Sequence, residues 1–164
     1  MEDINMILNV GPHEVIIDEQ DFKVLKDTQF CYSTQPNGRV YIQHWNKGKC
    51  SYIHRMIMRP AKGFVVDHIN RNTLDNRRSN LRVCTQHENC CNQKMYSSNT
   101  TGYKGVVERK DGRRKKWRSE IRSDQKTQNL GSFYTIEEAA RAYDRAALRE
   151  FREFAILNFP DDIA

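Results

Sequence analysis

The sequence predicts an α+β protein that is assembled from small antiparallel sheets and two helices. Three observations lead to this fold class. Aromatic and β-branched runs separated by turn residues fill the first third of the chain. Two short apolar runs enclose a long polar loop in the middle, and an alanine-rich helical pattern follows three strand-like runs near the end. Since 164 residues suffice for two or three small domains, we divide the chain into residues 1–60, 61–95 and 96–164.

The first segment, residues 1–60, is predicted to be rich in β-structure. Residues 14–18 have the composition of a strand, and residues 38–45 and 49–58 are aromatic and β-branched. Asn46-Lys47-Gly48 separates the last two runs with a turn pattern. These patterns indicate a small antiparallel sheet or a pair of hairpins.

The second segment, residues 61–95, begins after Pro60 and is predicted to contain two short strands. The first covers residues 64–66 and ends at Asp67-His68, and the second covers residues 81–84. Leu74 and Leu81 are expected to anchor the polar loop between the strands in the core.

A helix is predicted to follow the second strand. Thr85 with Glu88 three residues later has the pattern of a capping box, in which each side chain bonds the backbone N–H of the other residue. We expect the helix to run through Asn89 to about Met95. The segment therefore has the order strand, loop, strand, helix.

The third segment, residues 96–164, is predicted to hold a three-stranded antiparallel sheet that packs on one helix. The strands cover residues 103–109, 116–122 and 127–134, with turns between them. Thr135 and Glu138 form a second capping-box pattern. A core stripe at helical spacing follows, made of Ala139, Ala140, Tyr143, Ala146, Ala147 and Phe151.

Charge and composition limit the classes of function. The chain carries a net charge of +6, and residues 104–126 alone have ten Lys or Arg against four Asp or Glu, so the rest is balanced in sum. A basic tract of this kind indicates a nucleic-acid partner or a solvated strand surface, and charge alone does not separate the two. No apolar run is long enough to cross a bilayer and no signal peptide opens the chain, so we expect a soluble, cytoplasmic protein. The five cysteines contain no C-x-x-C pair, which favours reduced thiols over zinc ligands.

The middle segment contains residue types suited to phosphodiester hydrolysis. This reaction needs a divalent cation that neutralises charge and a base that activates water. Magnesium prefers carboxylate and amide oxygens, and histidine is a suitable base near neutral pH. Asp67 and His68 are neighbours at a strand end, so one side chain can face a metal while the other faces the substrate. Asn89 is placed to offer its amide oxygen to the same cavity, and Asn80 is placed to brace the histidine.

The string VDHINRNTLDNRRSNLRVCTQHEN, residues 66–89, resembles the HNH nuclease family with its ββα-metal fold, also called the His-Me finger. The resemblance is greatest to phage and intron-encoded homing endonucleases, in which the last motif histidine is an asparagine. It implies that His68 is the general base, that Asp67 and Asn89 ligate one Mg²⁺ or Mn²⁺, and that Asn80 gives an orienting hydrogen bond. The neutral amide of Asn89 departs from the strict pattern and binds metal more weakly than imidazole.

Other polar residues near the motif have simpler expected roles. Asn70, Asn72 and Asn76 are expected to shape the loop. His87 would point away from Asn89 on a helix, so it is expected at the surface. His54 matches a His-Arg pair that recurs in this nuclease branch, and we expect it to be structural or to contact phosphate.

The end of the chain resembles the plant ethylene-response-factor (apetala-two type) DNA-binding domain. The matching strings, in chain order from residue 102, are GYKGV, WRSEIR, LGSF, EEAARAYDRAAL and LNFP. The resemblance implies a three-stranded sheet that lies in the major groove of DNA, with the helix packed behind it. Val107 and residues 127–129 depart from the base-reading residues of the plant pattern, so the plant target sequence is not carried over.

Strand alternation predicts the residues that face DNA. In residues 117–122 charged side chains alternate with Trp117, Ser119 and Ile121, so one face is free to meet DNA while the other meets the helix. The expected DNA-facing set consists of Lys104, Arg109, Arg118, Glu120 and Arg122.

Taken together, the motifs predict a homing-type endonuclease that acts on double-stranded DNA as a monomer or homodimer. The alternative is a non-enzymatic DNA-binding regulator that uses a nuclease fold as a scaffold.

Overall fold

The computed structural model describes residues 5–92, 99–123 and 126–163, and it has a mixed α/β fold with several small antiparallel sheets. The chain forms two compact units, Met1–Gln86 and His87–Ala164. Within the described residues, no helix is long and apolar enough to cross a membrane.

The first unit begins with an antiparallel hairpin, β1 (Asn5–Val10) and β2 (His13–Asp18), followed by helix α1 (Glu19–Leu25). Strand β2 contains the predicted strand at residues 14–18, whereas β1 and α1 were not predicted. Val15 and Ile17 alternate along β2 and are fully buried in the core of this unit. Because alternate residues of β2 are buried, one face of the hairpin packs against the core.

The next elements form a three-stranded antiparallel sheet and a short helix. The sheet has the order β3 (Cys31–Thr34), β4 (Val40–Asn46) and β5 (Lys49–Tyr52). We expected β-structure over residues 49–58, but only Lys49–Tyr52 form a strand and Ile53–Met58 form helix α2. Ile53 and Ile57 lie one helical turn apart and both are buried in the core, so helical spacing puts these two side chains on the same buried face.

A second hairpin, β6 (Val65–His68) and β7 (Leu81–Cys84), ends the first unit. Helix α3 (Gln86–Cys91) follows it. Leu81 is buried and Leu74 packs against the same core cluster, as the loop prediction required. The predicted helix runs to about Met95, and its part beyond residue 92 lies outside the described residues.

The second unit contains a three-stranded antiparallel sheet of order β10 (Lys126–Phe133), β9 (Trp117–Ser123) and β8 (Val106–Glu108). Helix α4 (Ile136–Phe151) packs on it. The Thr135 hydroxyl accepts from the Glu138 N–H, and the Glu138 carboxylate accepts from the Thr135 N–H, which confirms the capping box. The predicted alanine stripe is buried against the sheet.

The structure explains two residues of the strings that resemble the plant domain, Gly105 in GYKGV and Asn158 in LNFP. Gly105 has a φ of +73°, and a Cβ there would lie 1.9 Å from Cδ2 of Tyr143, so this position needs glycine. Asn158 joins the two ends of the unit, since its side chain bonds both the N–H and the C=O of Lys104. The buried Asp144 carboxylate fixes Asn158 by accepting from its backbone N–H at 2.8 Å.

Candidate active site and nucleic-acid interface

Asp67 and His68 occupy the end of β6, and both are buried. Asp67 is paired in register with Arg82 on β7, and His68 with Leu81. The Asp67 carboxylate meets the Arg82 side chain, while the His68 ring meets Asn76. Successive side chains thus contact different groups, as expected at a strand end.

The His68 ring is held by an amide in the loop between the strands. His68 Nε2 lies 3.2 Å from Asn76 Oδ1. The amide orientation is set by a second bond, in which Asn76 Nδ2 donates to the C=O of Thr73 at 3.1 Å. Because an amide oxygen only accepts, Nε2 carries the proton, and Nδ1 of the neutral ring is the nitrogen that can accept one. Asn76 is fully buried, so this orientation is fixed by packing.

The Asn80 side chain bonds the loop between the two strands. Its Oδ1 accepts from the Asn70 N–H at 2.9 Å, and its Nδ2 donates to the Asp75 C=O at 2.7 Å. These bonds close the loop between β6 and β7. The orienting hydrogen bond to His68 is made by Asn76, which sequence reasoning assigned to loop shape. Spacing alone could not separate two asparagines in one loop.

An ion pair stiffens the same loop from inside. The buried Asp75 carboxylate accepts from Arg77 Nε at 2.8 Å and from Asn70 Nδ2 at 2.9 Å. The hydrogen bond from Arg77 holds the pKa of Asp75 below its usual value of 3.8. A charged, fully bonded carboxylate is therefore part of the loop at neutral pH.

Backbone and side-chain bonds attach the loop to the N-terminal hairpin. Ile16 of β2 donates its N–H to the Leu74 C=O and accepts from the Asn76 N–H. Arg78 reaches Asp21 of α1 through two bonds of 2.8 Å. Strand β2 and the unpredicted helix α1 thus support the loop that carries Asn76.

The Asp67 carboxylate, the predicted metal ligand, is held by Arg82. Arg82 Nε and Nη2 both donate to Asp67 Oδ2, at 2.9 and 2.7 Å. The described residues contain no group of three His, Cys, Asp or Glu arranged to hold a metal. A carboxylate with one amide oxygen still fits a hard cation that keeps several water or phosphate ligands. Such a cation would share the carboxylate with Arg82 or displace the guanidinium.

Asn89, the second predicted ligand, lies in α3 and is half-buried. Helix α3 crosses the boundary between the two units, and Asn89 belongs to the second one. Metal ligation by Asn89 therefore remains a prediction. His87 is exposed, as expected.

His54 lies beside the candidate base. Its ring centroid is 5.2 Å from that of His68, and its other side stacks on Tyr52 at 5.5 Å. Burial lowers the pKa of His54 to about 3, with smaller effects from His68 and Arg55. Burial also lowers the pKa of His68, against the opposing effects of Asn76 and Asp67. Both rings are therefore neutral near pH 7.

The second unit presents the alternating strand that the sequence predicted. Ser119 and Ile121 of β9 are buried toward α4, while Arg122 is exposed on the opposite face. Arg118 and Glu120 lie on that same outer face and pair with each other at 2.9 Å.

Two of the predicted DNA-facing residues lie outside the strand we assigned to them. Strand β8 covers only Val106–Glu108, so Lys104 precedes it and Arg109 follows it. Lys104 is in the turn that Asn158 fixes. Arg109 Nη1 donates to Ser132 Oγ at 2.6 Å, and Ser132 pairs in register with Arg118. Arg109 therefore shares the outer face, whereas Lys104 is fixed by its backbone at the edge of the sheet.

A family comparison covers the site around Asp67 and His68. Residues 51–90 match the model of the HNH endonuclease family. These residues are therefore similar to an HNH endonuclease domain. The match runs from β5 to α3 and includes Asp67, His68 and the loop with Asn76. No solved structure matches the chain.

Individual relatives cover different parts of the chain. Protein 3.8 of Escherichia phage T7 is 37% identical over 82 residues, which is 50% of this chain and 66% of that protein. An uncharacterised HNH endonuclease of Acanthamoeba polyphaga mimivirus is 34% identical over 93 residues, which is 57% of this chain and 46% of the relative. An ethylene-responsive transcription factor of Arabidopsis thaliana is 47% identical over 64 residues, which is 38% of this chain and 34% of that protein. The chain thus spans less than two thirds of each of these relatives, and the plant match falls in its C-terminal region.

Proposed function

We propose that this protein is a metal-dependent DNA endonuclease of the homing type. The observation that carries the proposal is the buried His68 ring, whose Nε2–H is bonded to Asn76 and which lies next to the carboxylate of Asp67 in an HNH domain. A neutral imidazole with a fixed tautomer is suited to accept a proton from water. We place the protein in the cytoplasm of a phage-infected or bacterial cell, as the phage relative suggests.

In this proposal each residue has one task. His68 Nδ1 accepts the proton of the attacking water, and Asn76 holds the ring in that tautomer. Asp67 and Asn89 would hold one Mg²⁺ or Mn²⁺, which when bound neutralises charge on the phosphate and on the departing 3′ oxygen. Asn80 closes the loop that positions Asn76. The products carry 5′ phosphate and 3′ hydroxyl ends.

Cleavage of supercoiled plasmid tests the nuclease. With Mg²⁺ or Mn²⁺, the wild-type chain should convert supercoiled DNA to nicked circles if it acts as a monomer, or to linear DNA if two chains act together. His68→Ala should lose the activity, because no other described group takes the proton in this proposal. His44→Ala is the matched control, since His44 bonds Gln29 of the same unit and takes no part in the proposed reaction. An inactive wild-type chain that still binds DNA would refute the proposal.

The C-terminal unit would supply recognition through the outer face of its sheet. Arg122 is exposed there, and arginine can read guanine or bind phosphate. Arg122→Ala should weaken DNA binding, whereas Arg145→Ala on the exposed side of α4 should leave it unchanged. Equal binding by the two variants in a gel-shift titration would remove the sheet face from the interface.

A non-enzymatic DNA-binding regulator is the second candidate. It is favoured by the bond between Arg82 and Asp67, which neutralises the carboxylate that a metal would need, and by the likeness to plant transcription factors. Binding-site selection followed by end mapping separates the two functions. The regulator binds the selected site and leaves it intact at every metal concentration, whereas the nuclease produces defined ends near it.

A further inference from the structure

The first unit has a cationic segment that the net charge of the chain conceals. Residues 28–66 contain six Lys or Arg and no Asp or Glu, whereas residues 1–27 contain seven acidic and two basic residues. The charges of the two segments nearly cancel, so the chain outside residues 104–126 is balanced only in sum. A segment of 39 residues with only positive charge needs its own explanation.

The cations of this segment have no acidic partners in the part of the chain that the structure describes. No described carboxylate lies within salt-bridge distance of any of them, and Arg55 bonds only the C=O of Phe64. In the preceding segment, the acidic residues Asp18 and Asp21 bond Arg78. The six cations are Arg39, Lys47, Lys49, Arg55, Arg59 and Lys62.

Two strands of this segment form an aromatic face. We define it by the side chains on the outer side of β4 and β5, which are Tyr41, Gln43, Trp45, Cys50 and Tyr52. The intervening Ile42 is fully buried, which places the alternate residues on the opposite side of the sheet. Trp45 is 57% exposed, which is unusual for so large an apolar side chain. The aromatic face is therefore accessible from solvent.

The aromatic face leads to the candidate base. Tyr41 and Tyr52 lie 5.8 Å apart, Tyr52 stacks on His54, and His54 contacts His68 at 5.2 Å. The distance from Tyr41 to Trp45 along β4 is about 13 Å, since each strand residue advances about 3.3 Å. This equals the axial rise of about four phosphates on one DNA strand. Lys47 lies in the turn that directly follows β4, and Arg39 directly precedes the first residue of that strand.

We propose that the aromatic face, with Arg39 and Lys47 at the two ends of β4, forms a second DNA-binding surface, which holds the phosphate backbone beside the bond that His68 cleaves. The partner is double-stranded DNA, because an uncompensated cationic surface is complementary to phosphate and tyrosine hydroxyls donate to its oxygens. This surface is separate from the sheet of the C-terminal unit. Its position next to the scissile phosphate rests on the proposed nuclease function, whereas the binding itself does not.

Salt-dependent binding tests the surface without any cleavage. The full-length chain is titrated with a duplex of random sequence in EDTA, over a range of salt concentrations. Arg39→Gln/Lys47→Gln should reduce the slope of log affinity against log salt by about 1.8, because each lost phosphate contact removes about 0.9. Lys23→Gln/Lys26→Gln is the matched control, since it removes the same charge from the same unit on and after α1. Equal slopes for the two double variants would overturn the proposal.

Fluorescence of Trp45 provides a second, local readout. The chain has two tryptophans, so Trp117→Phe leaves Trp45 as the only one. DNA bound at the aromatic face should shield Trp45 from acrylamide quenching, and unchanged quenching at saturation would overturn the proposal. Cleavage by the wild-type chain is scored separately with metal. A chain that shows the slope change but never cleaves refutes the nuclease and retains the surface, whereas an active chain with equal slopes refutes only the surface.

Discussion

The imidazole of His68 donates from Nε2 to Asn76 Oδ1 over 3.2 Å, and Asn76 in turn donates to the C=O of Thr73. This chain of two bonds leaves no freedom to the buried amide. It therefore selects one tautomer of His68 and one ring orientation. In this tautomer Nδ1 is the ring nitrogen that accepts a proton.

Asn76→Ala should remove this selection. We expect plasmid nicking to fall by about 10- to 100-fold, which corresponds to one lost hydrogen bond that orients a base. Nitrogen NMR of the His68 ring should show a mixture of tautomers in Asn76→Ala. It should show the Nε2–H form in the wild type and in Asn76→Asp, whose carboxylate also accepts from Nε2.

Asn72→Ala is the control for loop damage, because Asn72 is exposed and bonds only the loop backbone. A variant Asn76→Ala with the wild-type tautomer and reduced activity would mean that Asn76 acts through loop stability and does not orient His68.

His54→Phe should change the pH dependence of stability. The folded-state pKa of His54 is about 3, against 6.5 in the unfolded chain, so between these values only the unfolded state binds the proton. The free energy of unfolding is therefore unaffected by this group above pH 6.5. It decreases as the pH drops toward 3, by up to about 1.4 kcal/mol per pH unit. Phenylalanine keeps the ring between Tyr52 and His68 and cannot titrate, so the slope should flatten.

Urea unfolding at several pH values from 7 to 4 measures this slope. His44→Phe is the matched histidine control. Part of the slope should persist in His54→Phe, since the pKa of His68 is also lowered by burial. Identical slopes in wild type and His54→Phe would contradict the neutral state of the buried ring.

How far the sequence could predict this molecule depended on the range of the interactions. Local patterns gave the capping box at Thr135 and the buried alanine stripe, because both depend on neighbours within one helix. Helix α2 was missed, since aromatic and β-branched residues have strand propensity and only burial of Ile53 and Ile57 in the core favours the helix. Which of Asn76 and Asn80 bonds the His68 ring depends on the directions of the Thr73 and Asp75 carbonyls, which spacing does not encode.

Arg77→Gln should destabilise the loop that carries Asn76. Arg77 Nε donates to the buried Asp75 carboxylate at 2.8 Å, and this bond lowers the pKa of Asp75 below 3.8. The stabilisation is present above pH 3.8 and is lost as the pH falls through the lower folded-state value. We expect a loss of about 2 kcal/mol at pH 7, typical of a hydrogen bond to a charged group.

The difference between wild type and Arg77→Gln should therefore shrink in acid. Chemical unfolding at pH 7 and below pH 3 measures it, with Lys23→Gln as the control because its pair with Glu19 is exposed. A difference that stays constant with pH would mean that Arg77 contributes by packing and not through the Asp75 charge.

Arg82→Gln tests whether the Asp67 carboxylate binds a divalent metal ion. In the wild type the guanidinium donates twice to Asp67 Oδ2, so a divalent ion must compete with a positive charge already in place. Glutamine removes that charge. The metal-free variant should be less stable by about 3 kcal/mol, as expected when a buried pair loses one partner. Mn²⁺ should then bind more tightly than to the wild type and restore stability, because a bound ligand stabilises the folded state by mass action.

Electron paramagnetic resonance of free Mn²⁺ gives the affinity, and thermal unfolding with and without Mn²⁺ gives the stabilisation. Asp67→Asn/Arg82→Gln is the matched control, since it removes the carboxylate together with its partner and should bind Mn²⁺ no better than background. If Arg82→Gln binds Mn²⁺ no more tightly than the wild type, Asp67 is the structural partner of Arg82 and not a metal ligand. That result would favour the regulator, because the proposed metal site would then lack the carboxylate that the nuclease needs.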